Sequence, residues 1–96
     1  MSHKHLNLLR AIFQDPVNGN IHWREVETLL QHLGASIEPA HGARFRVVLN
    51  RVEFFLHQPH HSSTCTKQDI KMLRENLAHA GISASAYESQ AGQQQQ

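Results

Sequence analysis

ARFRVVLNRVEFFLH, Ala43 to His57, is the stretch on which the reading of the fold turns. It consists of two runs rich in β-branched and aromatic residues, Ala43–Leu49 and Val52–His57, separated by Asn50-Arg51. Such runs favour extended backbone, because branched and flat side chains pack well on a pleated surface. Asn50 suits the first position of a two-residue hairpin turn, whereas Arg51 stands where glycine is preferred, so either a tight turn or a slightly longer loop joins the strands. The tight turn fixes a register. Phe45, Val47 and Leu49 then face Leu56, Phe54 and Val52 on a core side, while Arg44, Arg46 and Val48 lie across from His57, Phe55 and Glu53 on the other.

Outside the hairpin the period changes. Leu6, Leu9, Ile12 and Phe13 recur at helical spacing over residues 4–14, and Asp15-Pro16 with Asn18-Gly19 ends that run. In IHWREVETLLQHLG, Val26, Leu29, Leu30 and Leu33 fall at i, i+3, i+4 and i+7, one face of a helix, and Gly34 is placed for a left-handed C-terminal cap. SIEP is long enough only for an edge strand closed by Pro39. Thr66-Lys67-Gln68-Asp69 has the spacing of a helix-capping box, followed by Ile70, Leu73, Leu77 and Ala80 at helical intervals and by Gly81. The expected order is α-α-β-β-β-α: an α+β fold in which helices cover one face of a small antiparallel three-stranded sheet.

The chain has 96 residues, which suits one small domain. Residues 1–82 are expected to form it. Residues 83–96, SASAYESQAGQQQQ, hold too little apolar surface to offset chain entropy and are expected to be a disordered glutamine-rich tail. Nine Lys/Arg against eight Asp/Glu give a net charge of +1, so basic character lies in local clustering: Arg44, Arg46 and Arg51 fall close together. One cysteine, Cys65, excludes an internal disulfide, and no long apolar run or leader pattern is present; a reducing, cytoplasmic setting is the expectation.

The helix ending LLQHLGA, then HGARFRVVL, the strand running into FLHQPHH, and the closing NLAHAGI together resemble the HicA family of toxin–antitoxin systems. The resemblance covers about residues 23–82; the helix near 4–14 and the DPVNGNIHW link look like the extension of a longer branch of that family. It implies a double-stranded-RNA-binding-domain-like fold, a small metal-independent ribonuclease acting on mRNA, no cofactor, and a HicB-like antitoxin as protein partner. Two features bear on activity. Family ribonucleases usually carry a histidine after a Gly-Ser pair at the start of the second strand; here that stretch is Gly42-Ala43-Arg44-Phe45, with His41 just before it. The Pro-His step after the third strand is matched at Pro59-His60.

Metal-free cleavage of RNA needs a base for the ribose 2′-hydroxyl, an acid for the departing 5′-oxygen and a cation for the phosphate between them. Histidine suits the first two roles and arginine the third. His57 and His60 are the candidate acid and base, Arg44, Arg46 and Arg51 the candidate phosphate ligands, and His41 a reserve base. The alternative is a non-catalytic module of the same fold that binds RNA or protein. His57, His60, His61 and Cys65 also offer four potential zinc ligands, but their spacing is not that of paired Cys/His clips, and no metal site is expected. Phe55, an aromatic among arginines, is expected to be covered by protein (an antitoxin, the first helix or another subunit) rather than to stack on a base. Trp23 is expected to be core or a helix anchor.

Overall fold

Leu9 and Ile12, Val26 with Leu29 and Leu30, and Leu73 and Leu77 are apolar residues that recur three and four apart along three helices, and all seven are sealed from solvent. The computed structural model describes residues 3–59 and 62–83. Among them the order is α1 (His3–Ile12), α2 (Trp23–His32), β1 (Ser36–Pro39), β2 (Arg44–Leu49), β3 (Val52–His57) and α3 (Lys67–His79). The three strands form one antiparallel sheet in the order β1-β2-β3. This is the expected α-α-β-β-β-α arrangement.

The hairpin has the tight-turn register: Leu49 pairs with Val52 and Arg44 with His57. Asn50 and Arg51 both take left-handed backbone, φ 50° and 69°, as a two-residue type I′ turn requires. Asn50 tolerates that region and also donates from Nδ2 to the Ala80 carbonyl at 2.8 Å, fastening the turn to the end of α3. Arg51 occupies a conformation suited to glycine without a comparable gain.

Alternation then sorts the hairpin. Val47, Leu49, Phe54 and Leu56 are buried beneath the helices, while Arg44, Glu53, Phe55 and His57 are exposed on the opposite face. Burying each large aliphatic or aromatic side chain contributes about 1.5–3 kcal/mol before entropy is counted. β1 is the short edge strand that Pro39 predicted, pairing Ser36 with Val48 through Pro39 with Phe45.

Helix ends follow their sequence signals. Gly34 and Gly81 are left-handed, φ 92° and 81°. The residue after each donates five positions back, Ala35 to Leu30 and Ile82 to Leu77, at 2.9 and 2.8 Å, which satisfies carbonyls left open at a helix C-terminus. Thr66 Oγ1 accepts from the Asp69 amide at 3.1 Å and starts α3.

α1 is an integral part of this core. Leu8, Leu9 and Ile12 share one apolar cluster with residues of α2, the sheet and α3, and Arg74 of α3 donates to the Gln14 carbonyl at 2.7 Å. A further tie was not legible in the sequence. His22 and Thr64 form an isolated antiparallel bridge, with Trp23 N–H donating to Ser63 O at 2.9 Å and Cys65 N–H to Ile21 O at 2.8 Å. The segment after β3 is thereby stitched to the entrance of α2. His60 and His61, and residues 84–96 of the expected tail, lie outside the described residues.

Candidate functional site

The exposed sheet face gathers its chemistry at one end. β1 and β3 finish there and β2 begins there, so the β1–β2 loop bearing His41 and the terminal pair Arg44–His57 share that end. Gln58 N–H donates to Ala43 O at 2.8 Å, carrying the ladder one step past the strands. By antiparallel alternation this makes Arg44 and His57 a non-hydrogen-bonded pair, the closer of the two kinds, with Cα atoms about 4.5 Å apart. Their side chains project from the same face.

Phe55 is the diagonal neighbour of Arg44. The Arg44 guanidinium carbon sits 4.6 Å from the centre of the Phe55 ring, a cation–π contact that contributes about 0.5–1 kcal/mol at an exposed site. It also orients the guanidinium while leaving its donors on the solvent side. Phe55 itself keeps 37% of its surface exposed, as Met72 of α3 keeps 43%. Arg44, His57 and Phe55, with Leu56 beneath and Asp69 and Met72 on the α3 side, outline a shallow depression of about 180 Å³.

The remaining candidates divide. Arg46 is held by carboxylates on both flanking strands, with Nε 2.6 Å from Glu53 Oε2 and a terminal nitrogen 3.7 Å from Glu38 Oε2. These are exposed pairs, each worth little to stability, but they counter the charge that a phosphate would meet. Arg51 does not join the group. It lies in the hairpin turn at the opposite end of the sheet, about 17 Å away at 3.3–3.4 Å per strand residue. The register that pairs Arg44 with His57 sends Arg51 to the other end of the hairpin, so closeness in sequence does not bring the two arginines together. His41 is exposed in the β1–β2 loop, whose closure is made by Ala40 N–H to Arg44 O at 2.8 Å and Arg44 N–H to His41 O at 3.3 Å. His60, the partner expected from the Pro-His step, lies outside the described residues.

Cys65 departs from the zinc-ligand grouping. It is 4% exposed and packed in the apolar core, whereas His57 is on the outer face. Burial, reinforced by the Asp69 and Glu25 carboxylates, pushes its thiol up to about 11, away from the thiolate that zinc binds. Among the described residues no group of three or more His, Cys, Asp or Glu side chains could hold a metal ion.

Asp69 and Met72 were missed as site residues. In the sequence Asp69 reads as a helix-capping residue and Met72 carries no signal of a site; their approach to the hairpin depends on how α3 packs. The structure thus defines a small α+β protein with an arginine–imidazole–aromatic cluster at one end of an open sheet face. Comparison with protein-family models, with curated proteins and with solved structures gives no match. Among the described residues no helix is long and apolar enough to cross a membrane.

Proposed function

We propose that the chain is a HicA-like ribonuclease that cuts mRNA without a metal and so blocks translation in the cytoplasm. The observation that carries the reading is the Arg44–His57 pair, adjacent across two strands on an exposed face, with Phe55 orienting the guanidinium. In the proposed reaction a base removes the proton of the ribose 2′-hydroxyl and the 2′-oxygen attacks phosphorus. The bond from phosphorus to the 5′-oxygen breaks, and an acid protonates that oxygen. The products are a 2′,3′-cyclic phosphate and a free 5′-hydroxyl. Arg44 grips the non-bridging oxygens, which gain charge in the transition state. His57 supplies one of the two proton transfers, and His60 or His41 the other. Arg46 plays a lesser part because Glu38 and Glu53 already hold it. The exposed Phe55 and Met72 suit coverage by a HicB-like antitoxin.

The test is cleavage of single-stranded and structured RNA by the purified chain in the presence of a chelator. His57→Ala is expected to slow cutting by about 10²–10⁴-fold, the usual contribution of a general acid or base, with the fold retained by circular dichroism. RNA left intact by the wild-type chain, or cut equally well by a folded His57→Ala variant, overturns the proposal. A second reading has its own observation: Gly42-Ala43-Arg44-Phe45 carries no histidine on β2, which favours a module that binds RNA or protein without cutting. Salt-dependent retention of uncut RNA on a filter is its signature.

A further inference from the structure

A cleft lies on the other side of the same sheet end, and the chemistry above does not use it. It measures about 660 Å³ and opens between α1, the start of α2 and the segment that leaves β3. That volume lies within the range of small-ligand sites, about 300–1,000 Å³. Pro59 and the edges of Leu8 and Trp23, which are only 8% and 7% exposed, give it a narrow apolar side, and Thr28, Ser62 and Ser63 give it hydroxyls. Lys4 and Arg24 bring two permanent positive charges, and His5 and His22 bring imidazoles. Glu25, the one carboxylate among the described lining residues, is engaged locally: its Oε1 accepts from the His22 amide at 3.1 Å. His22 Nδ1 and Ser63 Oγ lie 3.1 Å apart and fix the far wall. The cleft therefore combines a narrow apolar side, hydroxyl partners and a positive rim.

Its position matters as much as its lining. Gln58 and Pro59 line it and follow His57 directly in the chain. Alternation sends His57 to the outer face and Gln58 toward the helices, so the cleft and the Arg44–His57 pair lie on either side of one strand end. A chain held by a phosphate at Arg44 has its shortest path to a second foothold over that end. We propose that this cleft seats one nucleotide of a single-stranded RNA, next to the phosphate held at Arg44 and His57. The inference rests on the ribonuclease reading for its substrate class. The base packs against Pro59 and the exposed edge of Trp23, the sugar meets the hydroxyls, and the adjoining phosphate meets Arg24 and Lys4. An acidic peptide would satisfy the cations but would leave the hydroxyls and the apolar side unused. The assignment also gives α1 a role in binding, because Lys4, His5 and Leu8 all come from that helix.

Trp23 is the only tryptophan of the chain and stands in the cleft wall, so its fluorescence reports occupancy. The probe is a 2′-O-methyl hexauridylate, which lacks the reacting hydroxyl and cannot be cut by the proposed route. Titration of the full chain is expected to change Trp23 emission saturably, and Arg24→Gln to weaken binding roughly tenfold, the scale of one lost charge-assisted hydrogen bond. Thr28→Val, which removes a hydroxyl with little change of volume, is expected to weaken it less. Arg51→Gly, in the turn at the far end of the sheet, is expected to leave the Trp23 response in place. Silent Trp23 emission overturns the inference, as does equal affinity in folded Arg24→Gln. Displacement of the probe by hexaglutamate at equal concentration also overturns it and assigns the cleft to an acidic peptide. Cutting of RNA with a silent Trp23 defeats the cleft and leaves the ribonuclease reading standing. An Arg24-dependent response from a chain that cuts no RNA does the reverse.

Discussion

Arg51→Gly should make this protein more stable while removing a positive charge that sequence alone would assign to RNA. Arg51 holds φ 69°, and a side chain in that left-handed region costs about 1–2 kcal/mol relative to ordinary backbone. Glycine is free of the penalty but gives the unfolded chain more freedom, which takes back about 0.5–1 kcal/mol. The difference favours the variant by about 0.5–1 kcal/mol. For a domain of this size that corresponds to a rise in Tm of roughly 3–6 °C. Asn50 is the control, since it shares the left-handed backbone, φ 50°, but also donates to Ala80 O at 2.8 Å. Asn50→Ala loses that bond and an amide side chain suited to the turn, and should destabilise by about 1–2 kcal/mol. Urea unfolding measures both, with an unchanged m-value required for a two-state comparison. RNA binding should barely respond to Arg51→Gly, because the turn is about 17 Å from Arg44 by strand rise and the Debye length is about 8 Å at physiological salt. A lower urea midpoint for Arg51→Gly would refute the strain argument. A large loss of RNA affinity would refute the separation of the turn from the site.

Cys65 should resist alkylation in the native protein at pH 8 and react freely in urea. It is buried, and its thiol is pushed up to about 11, so the reactive thiolate is scarce; rapid native-state labelling would contradict the packing. Acid should weaken the clasp between α1 and α2, where the His5 and His32 rings stack at 4.1 Å between centroids. Burial, then His32 and Lys4, lower the His5 pKa below its ordinary 6.5. A depressed folded pKa means that this contribution is present above pH 6.5 and is lost as pH falls below it. His5→Phe keeps a ring that cannot charge, so its urea midpoint should fall less between pH 7 and pH 5 than that of the wild type; an equal fall would remove His5 as the cause.

The hairpin shows how much of this protein its sequence determines. Two-residue alternation in RFRVVL and VEFFLH, with only two residues between them, fixes which side chains are buried and which cross-strand neighbours meet. A slip of one residue would turn Val47, Phe54 and Leu56 out into water. The helix faces and their ends are legible for the same reason: local periods, capping hydroxyls and glycines act over a few residues. Arg44 opposite His57 was therefore legible before any coordinates. What the periods do not carry is distance between elements. Asp69 and Met72 are much farther along the chain than Arg44 and His57, yet line the same depression. The His22–Thr64 bridge, the Cys65 thiol turned into the core and the cleft behind Gln58 also depend on how α1, α2 and the segment after β3 pack together. Local patterning set the identity of each face; only the burial of those faces against one another decided which of the exposed groups became neighbours.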